Sequence, residues 1–129
     1  MDIKMIEEGT ELYVQFDKRG GTVPTIAQDA ATGLILMLAY TNAQSLEETL
    51  KTGYATFWRT KTQELWKKGE TSGDVLRIVQ ILVDCDQDAL VYKVQREGSG
   101  ACHTTNQQGR TREACFYRSI ECNKKLRYL

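Results

Sequence analysis

Eight residues near the middle of the chain, VDCDQDAL from Val83 to Leu90, set Asp84, Asp86 and Asp88 around the thiol of Cys85, between two strongly apolar runs. Carboxylates that close repel one another and are costly to desolvate. A hard divalent cation such as magnesium or calcium relieves that strain, and so does plain exposure to water in an acidic turn. If the preceding strand continues extended through Asp88, alternation puts the three carboxylates on one face and the thiol on the other. The D-x-D-x-D spacing is not that of an EF-hand: Ala89 stands at the loop glycine, Gln95 at the bidentate glutamate, and the flanks read as strands.

Cys85 has three companions, Cys102, Cys115 and Cys122. Cys102 and Cys115 fall in a polar stretch where a cysteine packed only as a small hydrophobe has little reason to be. Three thiolates can hold zinc and leave a fourth position for water, which suits hydrolysis. All four could instead close a purely structural site, and free thiols are the plainest alternative. The spacing does not choose, because Cys102 and Cys115 are separated by twelve residues rather than two. His103, the single histidine, follows Cys102 directly; imidazole suits general acid/base work near neutral pH. A cysteine-protease dyad fits poorly, since adjacent side chains point apart when extended. The zinc-deaminase signature is missing as well: Thr104 and Thr105 follow His103, and the sole proline is Pro24.

The loop LWKKGETSG, Leu65 to Gly73, combines an aromatic, two lysines, a carboxylate, two hydroxyls and two glycines. Such a loop can stack a base on Trp66 and hold phosphate with backbone N–H groups and Lys68, or it can be an ordinary charged turn. Arg19, in DKRGGTVP, offers the same choice between phosphate and solvent.

These side chains need elements to position them. Thr25 to Gln28 and Leu34 to Tyr40 flank the turn residues DAATG and predict a hairpin. Asn42 is placed to cap a helix whose apolar face is Ala43, Leu46 and Leu50 and which stops at Gly53. Strands are expected at YATFWR from Tyr54, at Glu64 to Trp66, at Val75 to Val83 and at Ala89 to Val94. The fold class is therefore α+β, a mainly β-sheet small domain with one clear helix. A long polar connection runs from Arg96 to Cys115, and connections of that length are usually functional or disordered.

With 129 residues, 41% hydrophobic, the chain suits one compact domain spanning 1–129 rather than two. Lysine plus arginine and aspartate plus glutamate number 17 each, so no basic field argues for nucleic acid. No segment approaches the roughly 20 apolar residues of a membrane helix, and MDIKMIEEGTELYVQF has no signal-peptide pattern, so a cytoplasmic protein with reduced thiols is expected.

Taken together and in order, GTVPTIAQDAATGLILMLAYTNAQSLEETLKTGYATFWRT, LWKKGETSGDV, VDCDQDALVYKV, ACHT and CFYRS resemble the phosphoribosyl-AMP cyclohydrolase family of histidine biosynthesis, from about Phe16 to Ser119. The resemblance implies hydrolytic opening of the adenine ring of phosphoribosyl-AMP between N1 and C6. It implies an intertwined homodimer with zinc on Cys85, Cys102 and Cys115 contributed by both subunits, and magnesium on Asp84, Asp86 and Asp88. His103 becomes the acid/base group, and Arg19, Trp66, Lys68, Glu70, Thr71 and Ser72 the nucleotide-binding set; Cys122 receives no role. Members also occur fused to a pyrophosphohydrolase domain, an activity not expected of a chain ending at Leu129. One departure stands out: NQQGRTREA lengthens the usual link between ACHT and CFYRS. An outward bulge would keep Cys115 at the site, because added surface-loop length costs little free energy.

Overall fold

A computed structural model describes residues 2–129. Its centre is a four-stranded sheet built from β1 (Val23–Asp29), β2 (Ile35–Thr41), β5 (Leu76–Val83) and β6 (Leu90–Arg96), in the order β2-β1-β6-β5. β1 and β2 form the expected antiparallel hairpin, closed by Asp29, whose Oδ1 accepts from the amides of Ala31 and Thr32 at 2.9 and 3.0 Å. β6 runs parallel to β1 and antiparallel to β5. Side chains on a strand alternate between faces. Along β1, Val23, Thr25 and Ala27 are buried, while Pro24 and Ile26 on the other face are only half-buried.

The buried face meets α2 (Ala43–Thr52) and the hairpin of β3 (Thr56–Arg59) with β4 (Glu64–Lys67). Leu36, Phe57, Tyr92 and Val94 are the centre of that core, with the Phe57 and Tyr92 rings stacked at 5.7 Å. α2 begins and ends where Asn42 and Gly53 predict: the Asn42 side chain accepts from the Ser45 amide, Ser45 Oγ accepts from the Asn42 amide, and Gly53 takes a left-handed conformation. Its inward face differs from the expected one. Leu46 is buried but Leu50 is 58% exposed, and Ser45 and Thr49 are buried instead. The Thr49 hydroxyl donates to the Thr56 carbonyl and accepts from the Thr56 amide, both at 3.0 Å, which rotates that side of the helix onto β3.

Three short elements were not expected: α1 (Ile3–Glu8), a 3-10 turn at Phe16–Arg19, and a hairpin of β7 (Arg118–Ile120) with β8 (Leu126–Tyr128). The acidic run also departs from expectation. β5 ends at Val83, and the chain reverses in a hairpin turn in which Gln87 adopts φ 55°. Asp84 organises that turn, its amide donating to the Ala89 carbonyl and its Oδ1 accepting from the amides of Asp88 and Ala89 at 2.8 and 3.0 Å. Convergence of the carboxylates thus comes from the turn and not from strand alternation.

The opposite sheet face is apolar and open. Leu38, Tyr40, Val79 and Leu82 are exposed on it, and Pro24, Ile26, Leu38, Leu82 and Val91 line a groove of about 370 Å³ that runs to Asp84.

Candidate active site

A cleft of about 540 Å³ lies at the end of the β3–β4 hairpin, opposite the loop that carries Cys102. Trp66, Lys68, Glu70, Thr71 and Ser72 line one wall, and Cys102 and His103 the other. Antiparallel pairing of Trp66 with Phe57 anchors the first wall, since Phe57 is wholly buried and its ring lies 5.8 Å from that of Trp66. The Lys68 amide then donates to the Ala55 carbonyl at 3.1 Å, and the following loop closes through the Gly73 amide on the Gly69 carbonyl at 2.8 Å. Gly69 has φ 80°, and a Cβ there would collide with the Asp74 backbone, so the tight approach requires glycine.

Cys102 lines this cleft, and Cys115 lies in contact with it. Burial pushes both thiols up, and for Cys115 contact with Cys102 adds to that, to about 11, with the Lys68 ammonium opposing the rise. For Cys102 the hydrogen bonds outweigh burial: the Thr104 hydroxyl lies 2.9 Å from Sγ, the Thr104 amide donates to it at 3.4 Å, and Cys115 and Arg112 add to the effect. The two thiols are thus shifted in opposite directions, and side by side they offer two sulfur ligands to a soft metal ion. Cys85 is not with them. It sits exposed on the β5–β6 turn beside α1, so the three thiols do not meet within one chain. Cys122 is exposed on the β7–β8 turn.

Among the described residues, the metal-ligand types that do gather in a set of three are Asp84, Asp86 and Asp88, with one carboxylate oxygen from each within 4.8 Å of the others. That all-oxygen set suits a hard divalent cation. Lys18 and Arg19, delivered by the 3-10 turn, lie against it: Lys18 Nζ is 2.8 Å from Asp86 Oδ2 and 3.0 Å from Asp88 Oδ2, and Arg19 Nη2 is 3.1 Å from Asp88 Oδ2. Lys18 first, with Asp86 and Arg19, holds the Asp88 carboxyl well below the ordinary range, while burial and its acidic neighbours raise Asp84. Arg19 is thus engaged with the acidic turn and does not line the cleft with the other proposed nucleotide contacts.

The sequence model of phosphoribosyl-AMP cyclohydrolase matches residues 37–117, which include both walls of the cleft, the acidic turn and Cys85, Cys102 and Cys115. The chain belongs to the phosphoribosyl-AMP cyclohydrolase family. It is 47% identical over 113 residues to the phosphoribosyl-AMP cyclohydrolase of Desulfatibacillum aliphaticivorans, covering 88% of this chain and 86% of that one. Over 110 residues it is 50% identical to the enzyme of the same name from Archaeoglobus fulgidus, covering 85% and 94%. A histidine biosynthesis bifunctional protein of Aquifex aeolicus is 43% identical over 113 residues, which are 88% of this chain and 52% of the relative. With the family comes the enzyme class, a hydrolase acting on a cyclic amidine.

In this cyclohydrolase-family chain the link between Cys102 and Cys115 folds back on itself. Thr105 bridges Thr111, the Asn106 amide donates to the Arg110 carbonyl at 2.8 Å, and the Arg112 amide donates to the Thr104 carbonyl at 3.1 Å. The Cys102 amide donates to the Arg112 carbonyl, so the intervening residues leave and return at one point and Cys115 stays beside Cys102. This is the outward bulge that the sequence allowed. Four cleft residues were not singled out for the site from the sequence: Arg59, whose guanidinium lies 5.3 Å from the Trp66 ring centre, Glu64, Asp74 and Thr111. Pairing of Phe57 with Trp66 in the β3–β4 register puts Arg59, two residues on from Phe57, on the same face as Trp66; nothing local marks Thr111.

Proposed function

We propose that this chain hydrolyses phosphoribosyl-AMP in histidine biosynthesis, opening the adenine ring at the N1–C6 bond. The observation that carries the reading is the single cleft that brings His103 and Cys102, with Cys115 against Cys102, opposite Trp66, Lys68, Glu70, Thr71 and Ser72. Water adds to C6, the C6–N1 bond breaks, the water oxygen becomes the carboxamide oxygen, and a proton goes to N1. His103 is the group in the cleft suited to take the proton from the attacking water and return it to N1. Trp66, with Arg59 near its ring, offers a stacking face for a base. Thr71, Ser72 and the backbone N–H groups of the glycine-bounded loop suit phosphate, and Lys68 supplies positive charge from a position only 6% exposed.

Cys85, Cys102 and Cys115 would hold zinc, whose Lewis acidity makes a hydroxide nucleophile available near neutral pH, and Asp84, Asp86 and Asp88 would hold magnesium, which neutralises phosphate charge. Because Cys85 stands apart in one chain, the third thiolate comes from a second copy. The open apolar face supports a homodimer: its groove ends at Asp84, next to Cys85, so covering that face brings another chain to the turn that carries the thiol. We place the enzyme in the cytoplasm, where these thiols stay reduced; no helix among the described residues is long and apolar enough to cross a membrane.

Ring opening followed by ultraviolet absorbance, with metal analysis, tests this reading. Cys102→Ser is expected to lose turnover and bound zinc together, and a fully active zinc-free variant contradicts the scheme. His103→Ala is expected to lower kcat by about 10²–10⁴-fold with metal content unchanged; unaltered kcat removes His103 from the role.

A further inference from the structure

Asp74 closes the KKGETSGD loop, yet its side chain reaches across to a different part of the chain. The carboxylate is 8% exposed, and its Oδ1 accepts from the Ser99 amide at 2.7 Å and from the Ser99 hydroxyl at 3.1 Å. Its own amide donates to Ser72 Oγ at 3.2 Å, tying it to the loop that lines the cleft. Two glycines are shaped around it. A Cβ at Gly98 would collide with both the Asp74 carboxylate and its Cα, and a Cβ at Gly69 would collide with its carbonyl. Burial alone would raise this carboxyl, but Ser99, Ser72 and the Gly100 amide outweigh it and hold Asp74 charged below the ordinary range. Ser99 lies three residues before Cys102, and Asp74 itself lines the cleft with Cys102 and His103.

We propose that Asp74 is a positioning residue: by gripping Ser99, it sets where Cys102 and His103 stand against the wall that carries Trp66 and Lys68. The two walls come from segments more than twenty residues apart, and the Asp74–Ser99 pair is the side-chain bond between them. The two segments leave the β5–β6 ladder together, where the Glu97 amide donates to the Val75 carbonyl at 3.1 Å; beyond that point each wall has its own internal bonds, Gly73 to Gly69 on one side and Ala101 to Glu113 and Cys102 to Arg112 on the other. Removing the carboxylate therefore leaves each wall formed and shifts one against the other. This inference rests on the hydrolytic reading of the cleft.

The test compares Asp74→Ala, Asp74→Asn and Gly98→Ala in the full chain with two readouts. In the ring-opening assay, Asp74→Ala is expected to lower kcat about a hundredfold, as for a misplacement of about 1 Å, with KM nearly constant. Asp74→Asn keeps an oxygen acceptor for Ser99 and is expected to recover to within a few fold of wild type. Gly98→Ala, which pushes against the same carboxylate, should resemble Asp74→Ala. The second readout is a cobalt titration followed by the thiolate charge-transfer band of the Cys102 site; Asp74→Ala should weaken cobalt binding and Asp74→Asn restore it. Wild-type kcat and cobalt binding in Asp74→Ala overturn the proposal, as does an Asp74→Asn variant no better than the alanine. If the wild-type chain opens no ring, the hydrolytic reading fails, and the cobalt comparison still decides whether Asp74 positions the thiols.

Discussion

The two neighbouring thiols, Cys102 and Cys115, would set the pH behaviour of the proposed metal site. Cys102 is held down by Thr104 and Cys115, and Cys115 is pushed up to about 11 by burial and by its neighbour. A metal ion that binds both must displace the proton on Cys115, so affinity rises with pH up to that value. Each proton released corresponds to about tenfold per pH unit. The apparent zinc affinity, measured by competition with a chelating dye between about pH 6.5 and 8.5, is expected to climb at least that steeply. A flat profile would mean that Cys115 is not displaced and is not a ligand. At this scale the sequence singles out residues whose identity is itself the chemistry, Asp84, Asp86, Asp88, Cys102, Cys115 and His103, and the fold brings the aspartates together in one turn and Cys102 beside Cys115. It was silent on Asp74, because a carboxylate at the end of a glycine-bounded loop looks solvated until Ser99 is folded against it.

Elements were legible where a local signal sufficed and obscure where a contact from elsewhere decided. Asn42 and Gly53 marked both ends of α2 because capping is a property of the terminal residues themselves. Replacing Asn42 by Ala is expected to cost about 1 kcal/mol in urea unfolding, through loss of the bond from the Ser45 amide; an unchanged midpoint would mean that the cap contributes nothing. The buried face of α2 was misassigned because Thr49 hydrogen-bonds the β3 backbone, a pairing invisible to hydrophobic periodicity. Alternating aspartates imitated a strand, whereas the hairpin needed a reversal with Gln87 at positive φ. Gln87 is held there by bonds from its side chain to the Ile6 and Glu11 carbonyls and from the Tyr13 amide. β7 and β8 gave no signal, since their outer residues are exposed and the strands are three residues long.

For the whole molecule, the balance of charge and the open sheet face point the same way. Acidic and basic residues balance, so no strong self-repulsion opposes association through the groove at Leu38, Leu82 and Val91. The β1–β6 sheet is held on its other side by the core and by the Arg96 bridge, whose Nε lies 2.7 Å from Asp29 and Nη1 2.6 Å from Glu113, next to the loop that ends in Cys115. A rigid half-site on one copy and an exposed Cys85 on the other are what a shared metal centre needs. The proposed second subunit comes from the family resemblance alone; the separation of Cys85 from its companions became visible only in the fold. Mixing Cys85→Ser with Cys102→Ser subunits after gentle dissociation tests the shared site most directly, with ring opening of phosphoribosyl-AMP as the readout. Each variant alone is expected to be inactive. Random pairing makes half of the dimers mixed, each with one intact site of two, so the mixture should recover about a quarter of wild-type specific activity. A mixture as inactive as its components would mean that the thiols act within one chain or not at all, and would contradict the shared centre.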